Sequence, residues 1–275
     1  MPSLMHKPMQ RWELALPNRS DADLPGKKLF ESLKKVSAPV FQKRLKEEIA
    51  KGNIPSFLRQ LVPVGIRSGK DILTIWTMSD YLSVGDDHDF VRVALDLPTA
   101  KLVARELDLL LPTRKMVNAI YNKAGVKLEP RHMEPGPRMT SIEYMLDHHK
   151  MIEKDLSSLT TPRLIAGHKK DLVMSPRLYK KSKDRVAIYG WHQKNGKPIQ
   201  PLSLWHHEGY YDYSHGVRFV ARYGILNGRI VDLTDILQDP RYIRLVSDEG
   251  VFPKSPELSL TRGHHLPWGS ISSSL

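Results

Sequence analysis

The sequence predicts a single α+β domain, with an N-terminal layer of helices and a mostly antiparallel, β-rich C-terminal half. Before residue 160, most segments show the apolar periodicity of helices, and one group of strand-like segments lies between them. Short β-branched and aromatic runs separated by turn residues dominate from Leu164 onward. The 275 residues contain no internal repeat and are long enough to bury a substantial core. We expect an extended arm at residues 1–25, one domain at 26–252 and an irregular tail at 253–275.

The first elements of the domain are two helices. Helical signals begin at Lys27 and pause before Ser37, which can cap a second helix that starts near Pro39. Apolar residues then recur every four positions and Gly52 supplies a stop, so this helix is expected to bury one face, formed by Phe41, Leu45 and Ile49.

Strands and three more helices follow. The runs "FLRQLVPVGI", "DILTIWTMSDYLSVG" and "FVRVALDL" are rich in β-branched and aromatic residues and predict strands. Helices are expected at residues 99–107, after Pro112 with Thr113 as the cap, and at residues 141–156.

The C-terminal half contains two hairpin signals. Asn195-Gly196 and Asn227-Gly228 each lie between strand-like runs, and such dipeptides favour the left-handed dihedrals of type I′ turns. A last helix is expected at residues 232–245, interrupted at Pro240.

Composition narrows the classes of function. Cysteine is absent, which excludes disulfides, thiolate nucleophiles and cysteine-ligated metals. No apolar run approaches the roughly 20 residues that cross a bilayer, and no secretory signal is visible at the N-terminus. We therefore expect a soluble protein without membrane contact, either cytoplasmic or secreted with its signal removed. The P-loop, dinucleotide-binding, zincin and nucleophile-elbow motifs are also absent from the sequence.

The formal charge of +12 is concentrated in one segment. Residues 163–197 contain ten Lys or Arg and two Asp, a net charge of +8. A local positive field attracts anionic partners, so the partner is expected to be an anionic or polar polymer, with nucleic acid as an alternative. A solvated basic face without a partner is the simpler interpretation of such a run.

Histidines are the first candidates for site residues, because imidazole suits proton transfer near neutral pH. Four of the twelve lie between His192 and His215. Strand alternation in "RVAIYGWH" places His192 at the end of an apolar face. The same alternation in "YYDYSHGVRFV" groups His215 with Tyr211 and Tyr213 and places Asp212, Ser214 and Arg218 on the reverse face. Ser214 and His215 are therefore not expected to react together.

Three interpretations of this cluster stay open. His215 is a general acid or base assisted by a tyrosine, with Arg218 or Lys169 stabilising negative charge. Alternatively, a divalent metal binds to His192, His207, Asp212 and His215, although neither HxH nor HExxH spacing supports it. In the third, the histidines and tyrosines only stabilise a sheet. Acid/base chemistry is the preferred interpretation, and no cofactor is expected.

We therefore expect a hydrolase of a polar or anionic polymer such as a cell-wall peptide or glycan. The expected catalytic residues are His215, His192, Tyr213 and Asp212. The expected substrate-binding residues are Arg218, Lys169, Lys170, Tyr211, Trp191, Gln200 and His207. A polysaccharide lyase that uses Tyr, His and Arg is the closest enzymatic alternative, and a non-enzymatic nucleic-acid or polyanion-binding protein is the alternative from another class.

The segments "IYGWH", "PIQPL" and "DYSHGVR", with "LPTRKMVNAIYNKAG" and "AGHKKDLV" upstream, resemble a pattern found in an uncharacterised family of bacterial and fungal proteins. The resemblance covers most of residues 50–250. It implies that these segments belong to one domain, and it implies no activity.

Overall fold

The computed structural model describes residues 12–157, 164–181 and 184–254. In chain order the helices are α1 (Gly26–Ser32), α2 (Ala38–Ala50), α3 (Leu97–Glu106), α4 (Arg114–Lys123), α5 (Ile142–Leu156), α6 (Leu178–Lys181), α7 (Leu233–Gln238) and α8 (Ile243–Val246), with short 3₁₀ helices at Ser56–Leu58 and Pro137–Thr140. The strands are β1 (Trp12–Glu13), β2 (Gln60–Ser68), β3 (Asp71–Thr77), β4 (Ser83–Gly85), β5 (Phe90–Arg92), β6 (Leu109–Leu110), β7 (Val126–Lys127), β8 (Ile165–Ala166), β9 (Lys170–Leu172), β10 (Ile188–His192), β11 (Pro198–Ser203), β12 (His215–Gly216), β13 (Val220–Ala221), β14 (Tyr223–Leu226) and β15 (Arg229–Asp232). The predicted α+β fold class is confirmed.

The larger sheet is built around the hairpin of β2 and β3. Its strands run in the order β1-β2-β3-β13-β6, and β14 joins β3 to β15. Every pairing in this sheet is antiparallel. The first strand, β1, lies within the segment expected to be an extended arm. Trp12 in this strand is buried and stacks on Trp76 with ring centres 4.6 Å apart, so this part of the arm packs against the sheet.

The smaller sheet carries the histidine-rich segments. Its order is β11-β10-β9-β12, in which β9 pairs antiparallel with β10 and parallel with β12. The edge strand β11 contains Pro198 and Pro201. Because β9 lies between β10 and β12, it brings the "HKKD" segment beside the "DYSHG" segment.

Two large hydrophobic clusters and one small one hold the layers together. The larger cluster joins α1, α2 and α5 to residues of both sheets, and includes Phe30, Phe41 and Phe219. The second joins α4, α7 and α8 to the β2–β3 hairpin and includes Met116 and Phe252. Among the residues that the structure describes, no helix combines the length and apolar character needed to span a bilayer.

The helices expected from the sequence lie close to the positions found in the structure, since local chemistry defines their ends. Thr113 and Ser141 each accept a hydrogen bond at a helix N-terminus, from the amides of Met116 and Tyr144. Gly52, at φ +88°, follows the end of α2 in the left-handed region.

Candidate functional site

One row of residues crosses the smaller sheet. Gln200 pairs with Gly190, Gly190 with Lys170, and Lys170 with His215. Residues directly opposite each other on neighbouring strands share a face of the sheet. The structure thus groups three of the expected site residues: His215, Lys170 and Gln200.

The segment before β12 is a turn, and the alternation predicted for it is wrong. Only His215–Gly216 is a strand, and the amide of His215 donates to the carbonyl of Asp212 at 3.1 Å. The turn brings Asp212 Oδ2 to 3.9 Å from His215 Nε2, although a continuous strand would separate them. Ser214 Oγ donates to Asp212 Oδ1 at 2.6 Å, so its partner is the carboxylate and not the adjacent histidine.

The same turn directs the two expected tyrosines into the core. Tyr211 stacks on Phe41 with ring centres 6.0 Å apart. Tyr213 accepts a hydrogen bond from the amide of Met133 at 3.0 Å and packs against Tyr144. Both rings are buried in the larger hydrophobic cluster. Both tyrosines were expected beside the His215 imidazole. Neither lies there, because the turn breaks the two-residue period of a strand.

Asp212 is the centre of the group that does form. Its Oδ2 accepts from the hydroxyl of Tyr210 at 3.1 Å, and its Oδ1 accepts from the amide of Ser214 at 2.7 Å. Burial opposes its ionisation, but His215, Ser214 and Lys170 together outweigh burial and lower the pKa of Asp212. A carboxylate therefore sits beside an imidazole and a phenol.

His215 is fully buried beneath two rings. Tyr210 lies 5.6 Å and His206 lies 6.5 Å from it, between ring centres, and these two rings stack on each other at 4.0 Å. Burial lowers the pKa of His215 to about 4, so the imidazole is neutral at neutral pH. Burial likewise lowers the pKa of the half-buried His206.

Lys170 and Trp191 form the next part of the group. Lys170 Nζ lies 4.8 Å from the centre of the Trp191 ring, a cation–π contact. Burial lowers the pKa of Lys170, and Asp212 partly opposes that shift. The exposed ring of His132 covers Trp191 at 4.3 Å between ring centres. Sequence reasoning missed His132, since nothing around it indicates a site.

His192 does not join this group. Its ring stacks on Tyr121 at 4.4 Å, and its Nε2 lies 3.0 Å from Asn118 Oδ1, which also accepts from the Tyr189 hydroxyl. Because an amide oxygen only accepts, His192 donates from Nε2. Gly190 (φ +112°) and Trp191 (φ +55°) both take left-handed backbone conformations, which breaks the strand period and explains why His192 shares neighbours with Tyr189.

Two of the expected anion-binding cations are buried structural groups. Arg218 donates to the carbonyls of Met78 and Ile165 at 2.8 and 2.6 Å and stacks on Tyr81 at 4.4 Å. Lys169 Nζ donates to the carbonyl of Tyr213 at 2.6 Å, and burial lowers the pKa of this lysine to about 7. Both side chains are buried and have hydrogen-bond partners inside the fold.

Behind the smaller sheet lies a buried ionic network that the sequence did not reveal. Asp80 accepts from Arg92 at 2.6 Å and lies 3.1 Å from His168, whose pKa burial lowers to about 4. Tyr81 donates to Asp171 at 2.8 Å, and burial raises the pKa of Asp171 to about 7. The sequence does show three consecutive ionisable residues before Asp171, but it does not show that this segment is buried.

The remaining expected residues lie at the edge of the group. Gln200 donates to the carbonyl of Pro201 at 2.9 Å, and the exposed His207 accepts from the amide of Gly209 at 3.1 Å. Within the described ranges, no three His, Asp or Glu side chains are arranged to hold a metal ion, so the proposed four-ligand metal site gains no geometric support.

Comparisons of the chain with protein-family models, with curated proteins and with solved structures returned no match. The resemblance to a bacterial and fungal family therefore stays a prediction. The geometry of the group formed by Lys170, His206, Tyr210, Asp212 and His215, here named the Asp212 cluster, is the basis for a function.

Proposed function

We propose that this protein is a hydrolase of a polar or anionic polymer, and that the Asp212 cluster is its catalytic site. The observation that carries the proposal is the position of His215, a neutral imidazole 3.9 Å from the carboxylate of Asp212, with the Tyr210 hydroxyl on the same carboxylate. Carboxylate, imidazole and phenol in one group are the parts that general acid–base catalysis uses.

In this proposal His215 acts as the general base. Burial lowers its pKa to about 4, which leaves the imidazole neutral but weakly basic, and Asp212 opposes that shift by stabilising the imidazolium that forms when His215 takes a proton from water. Tyr210 is the group that donates a proton to the leaving oxygen or nitrogen. Its pKa is raised by burial and by Asp212, so the phenol keeps its proton until bond cleavage.

The substrate must displace the rings that cover His215. The half-buried side chains of His206 and Tyr210 form that cover, and Tyr210 is held there by a hydrogen bond of 3.1 Å to Asp212 and by its stack on His206. Rotation of Tyr210 would break its hydrogen bond to Asp212 and open a path to His215, and the released hydroxyl would then face the substrate as the proton donor.

The lyase alternative needs a cation that neutralises a uronate carboxylate. Arg218, the expected cation, is engaged by two carbonyl groups and by the Tyr81 ring. Arg218 is therefore not available for this role, and product analysis separates the two reactions, since elimination leaves a double bond that absorbs in the ultraviolet.

The test is polymer cleavage by the wild-type protein and by His215→Gln and Tyr210→Phe variants. The substrates are peptidoglycan, polyuronate and a neutral glycan. We expect cleavage without an ultraviolet-absorbing product, a loss of at least about 100-fold in kcat for each variant, and unchanged activity for the exposed control His88→Ala.

Three outcomes would contradict the proposal. The first is full activity in His215→Gln, and the second is an unsaturated product. The third is absence of cleavage together with nucleic-acid binding that falls steeply with salt and survives His215→Gln, which would identify a polyanion-binding protein.

A further inference from the structure

Trp191 presents a buried hydrogen-bond donor that has no partner among the residues described. Its indole Nε1 is enclosed, and the residue as a whole is only 4% exposed. An indole nitrogen only donates, so its missing partner must be an acceptor. Buried donors without a partner are rare and costly in folded proteins, and each one requires an explanation.

A positive charge lies over the ring that carries this donor. Lys170 Nζ is 4.8 Å from the centre of the Trp191 ring, and Lys170 is in register with His215, the proposed base. Donor and cation together favour an acceptor that carries negative charge. Because Lys170 belongs to the Asp212 cluster, this contact places the Trp191 ring next to that cluster.

The local charge favours a single carboxylate over a phosphate backbone. Lys170 is balanced by Asp212, which acts on the pKa of this lysine, and the neighbouring Lys169 is committed to the carbonyl of Tyr213. Binding of a nucleic-acid backbone generally relies on several free Lys or Arg side chains along one groove. One lysine beside one indole N–H is better matched to one carboxylate.

We propose that Trp191 and Lys170 form a subsite for a carboxylate group of the substrate, so that the polymer is a carboxylate-bearing glycan such as a polyuronate. This inference rests on the proposed hydrolase function, since it places the carboxylate beside the bond that His215 would attack. His132, an exposed ring 4.3 Å from Trp191, covers the subsite and moves aside when the carboxylate enters.

The test uses the indole N–H signals of the folded protein in two-dimensional ¹H–¹⁵N NMR. The chain has five tryptophans, and Trp191→Phe assigns the signal of interest. Titration with free glucuronate is expected to shift that signal saturably, whereas glucose at equal concentration leaves it in place. Lys170→Met is expected to weaken glucuronate binding by about tenfold or more.

Trp76 provides a matched control. Its Nε1 is also buried without a partner among the described residues, but its ring stacks on Trp12 in the core. Trp76→Phe should leave glucuronate binding unchanged, and the Trp76 signal should not move. His132→Ala is expected to leave the subsite intact and to tighten binding or leave its strength unaltered.

Several results would overturn the inference. They are a Trp191 signal that no carboxylate shifts, binding that Lys170→Met does not weaken, and inorganic phosphate that binds tighter than glucuronate. Because this readout needs no turnover, glucuronate binding without cleavage of any polymer would refute the hydrolase proposal alone. Cleavage of a neutral glycan without glucuronate binding would refute the subsite alone.

Discussion

At the scale of single residues, Gly216 decides how closely two segments can approach. A Cβ at this position would lie 2.5 Å from Cδ1 of Tyr81 and 2.8 Å from Cβ of Lys169. Both neighbours are buried, so neither can move freely. The absence of a side chain at Gly216 lets the Tyr81 ring pack behind β12, where His215 begins the strand.

Gly216→Ala is therefore expected to destabilise the fold by about 2 kcal/mol or more, because the added methyl group overpacks the interior. Gly65→Ala is the matched control, since a Cβ there meets no atom within 4 Å and its strand lies in the other sheet. Urea unfolding of both variants measures the difference. Equal midpoints for the two would show that the Tyr81 contact does not constrain β12.

At the scale of elements, the two Asn-Gly turns prove to be different. Asn227 (φ +51°) and Gly228 (φ +84°) are both left-handed, as the sequence predicted for a type I′ turn between β14 and β15. In the other turn only Gly196 (φ +85°) is left-handed, and the amide of Gly196 donates to the carbonyl of Gln193. One dipeptide thus supports two turn geometries, because loop length also contributes.

Asn227→Ala is expected to cost about 1–2 kcal/mol of unfolding free energy, since alanine resists the left-handed region and the variant loses two hydrogen bonds. In these bonds Asn227 accepts from the amide of Ile72 at 2.9 Å and donates to Asp71 at 2.7 Å. Asn195→Ala removes one hydrogen bond, to the amide of Lys197, and should cost less than about 1 kcal/mol. Thermal unfolding of the pair measures the contrast, and a larger loss in Asn195→Ala would contradict it.

Helix positions were predictable from sequence, whereas the site was predictable only in part. Caps such as Thr113 and Ser141 act on the next three residues, so a local pattern contains the information. The alternation around His192 and Asp212 failed because a left-handed pair and a turn interrupted both strands. Such breaks depend on packing against distant segments and leave no period in the sequence.

The register of β9 was equally hidden from sequence. Lys170 faces His215 because β12 pairs parallel with β9, at a separation of 45 residues along the chain. No local pattern encodes which strands become neighbours. Lys170 and His215 were both expected in the site, but the row that joins them is visible only in the structure.

At the scale of the whole molecule, buried ionisable groups couple stability to pH. The pKa values of His168 and His215 fall from 6.5 to about 4 on folding, so the unfolded chain binds more protons between these values. Their contribution to stability is present above about pH 6.5 and is lost as the pH falls toward about 4. Asp171 acts in the opposite sense, because burial raises its pKa to about 7 and its contribution declines as the pH rises to that value.

His215→Gln isolates one of these contributions. Between about pH 7 and about pH 4.5, the wild-type protein should lose about 2 kcal/mol more unfolding free energy than this variant, which has no imidazole to protonate. Urea unfolding at several pH values provides the measurement. Parallel pH profiles for the two proteins would mean that His215 titrates normally in the folded state.

The edge of the smaller sheet has a consequence for how the protein behaves at high concentration. Pro198 and Pro201 interrupt the row of amide donors along β11, since proline has no N–H. A strand from a second molecule therefore cannot extend the sheet along a continuous ladder at this edge. The two prolines protect this edge of the sheet from aggregation through strand addition, while the proposed base His215 lies on β12 at the opposite edge.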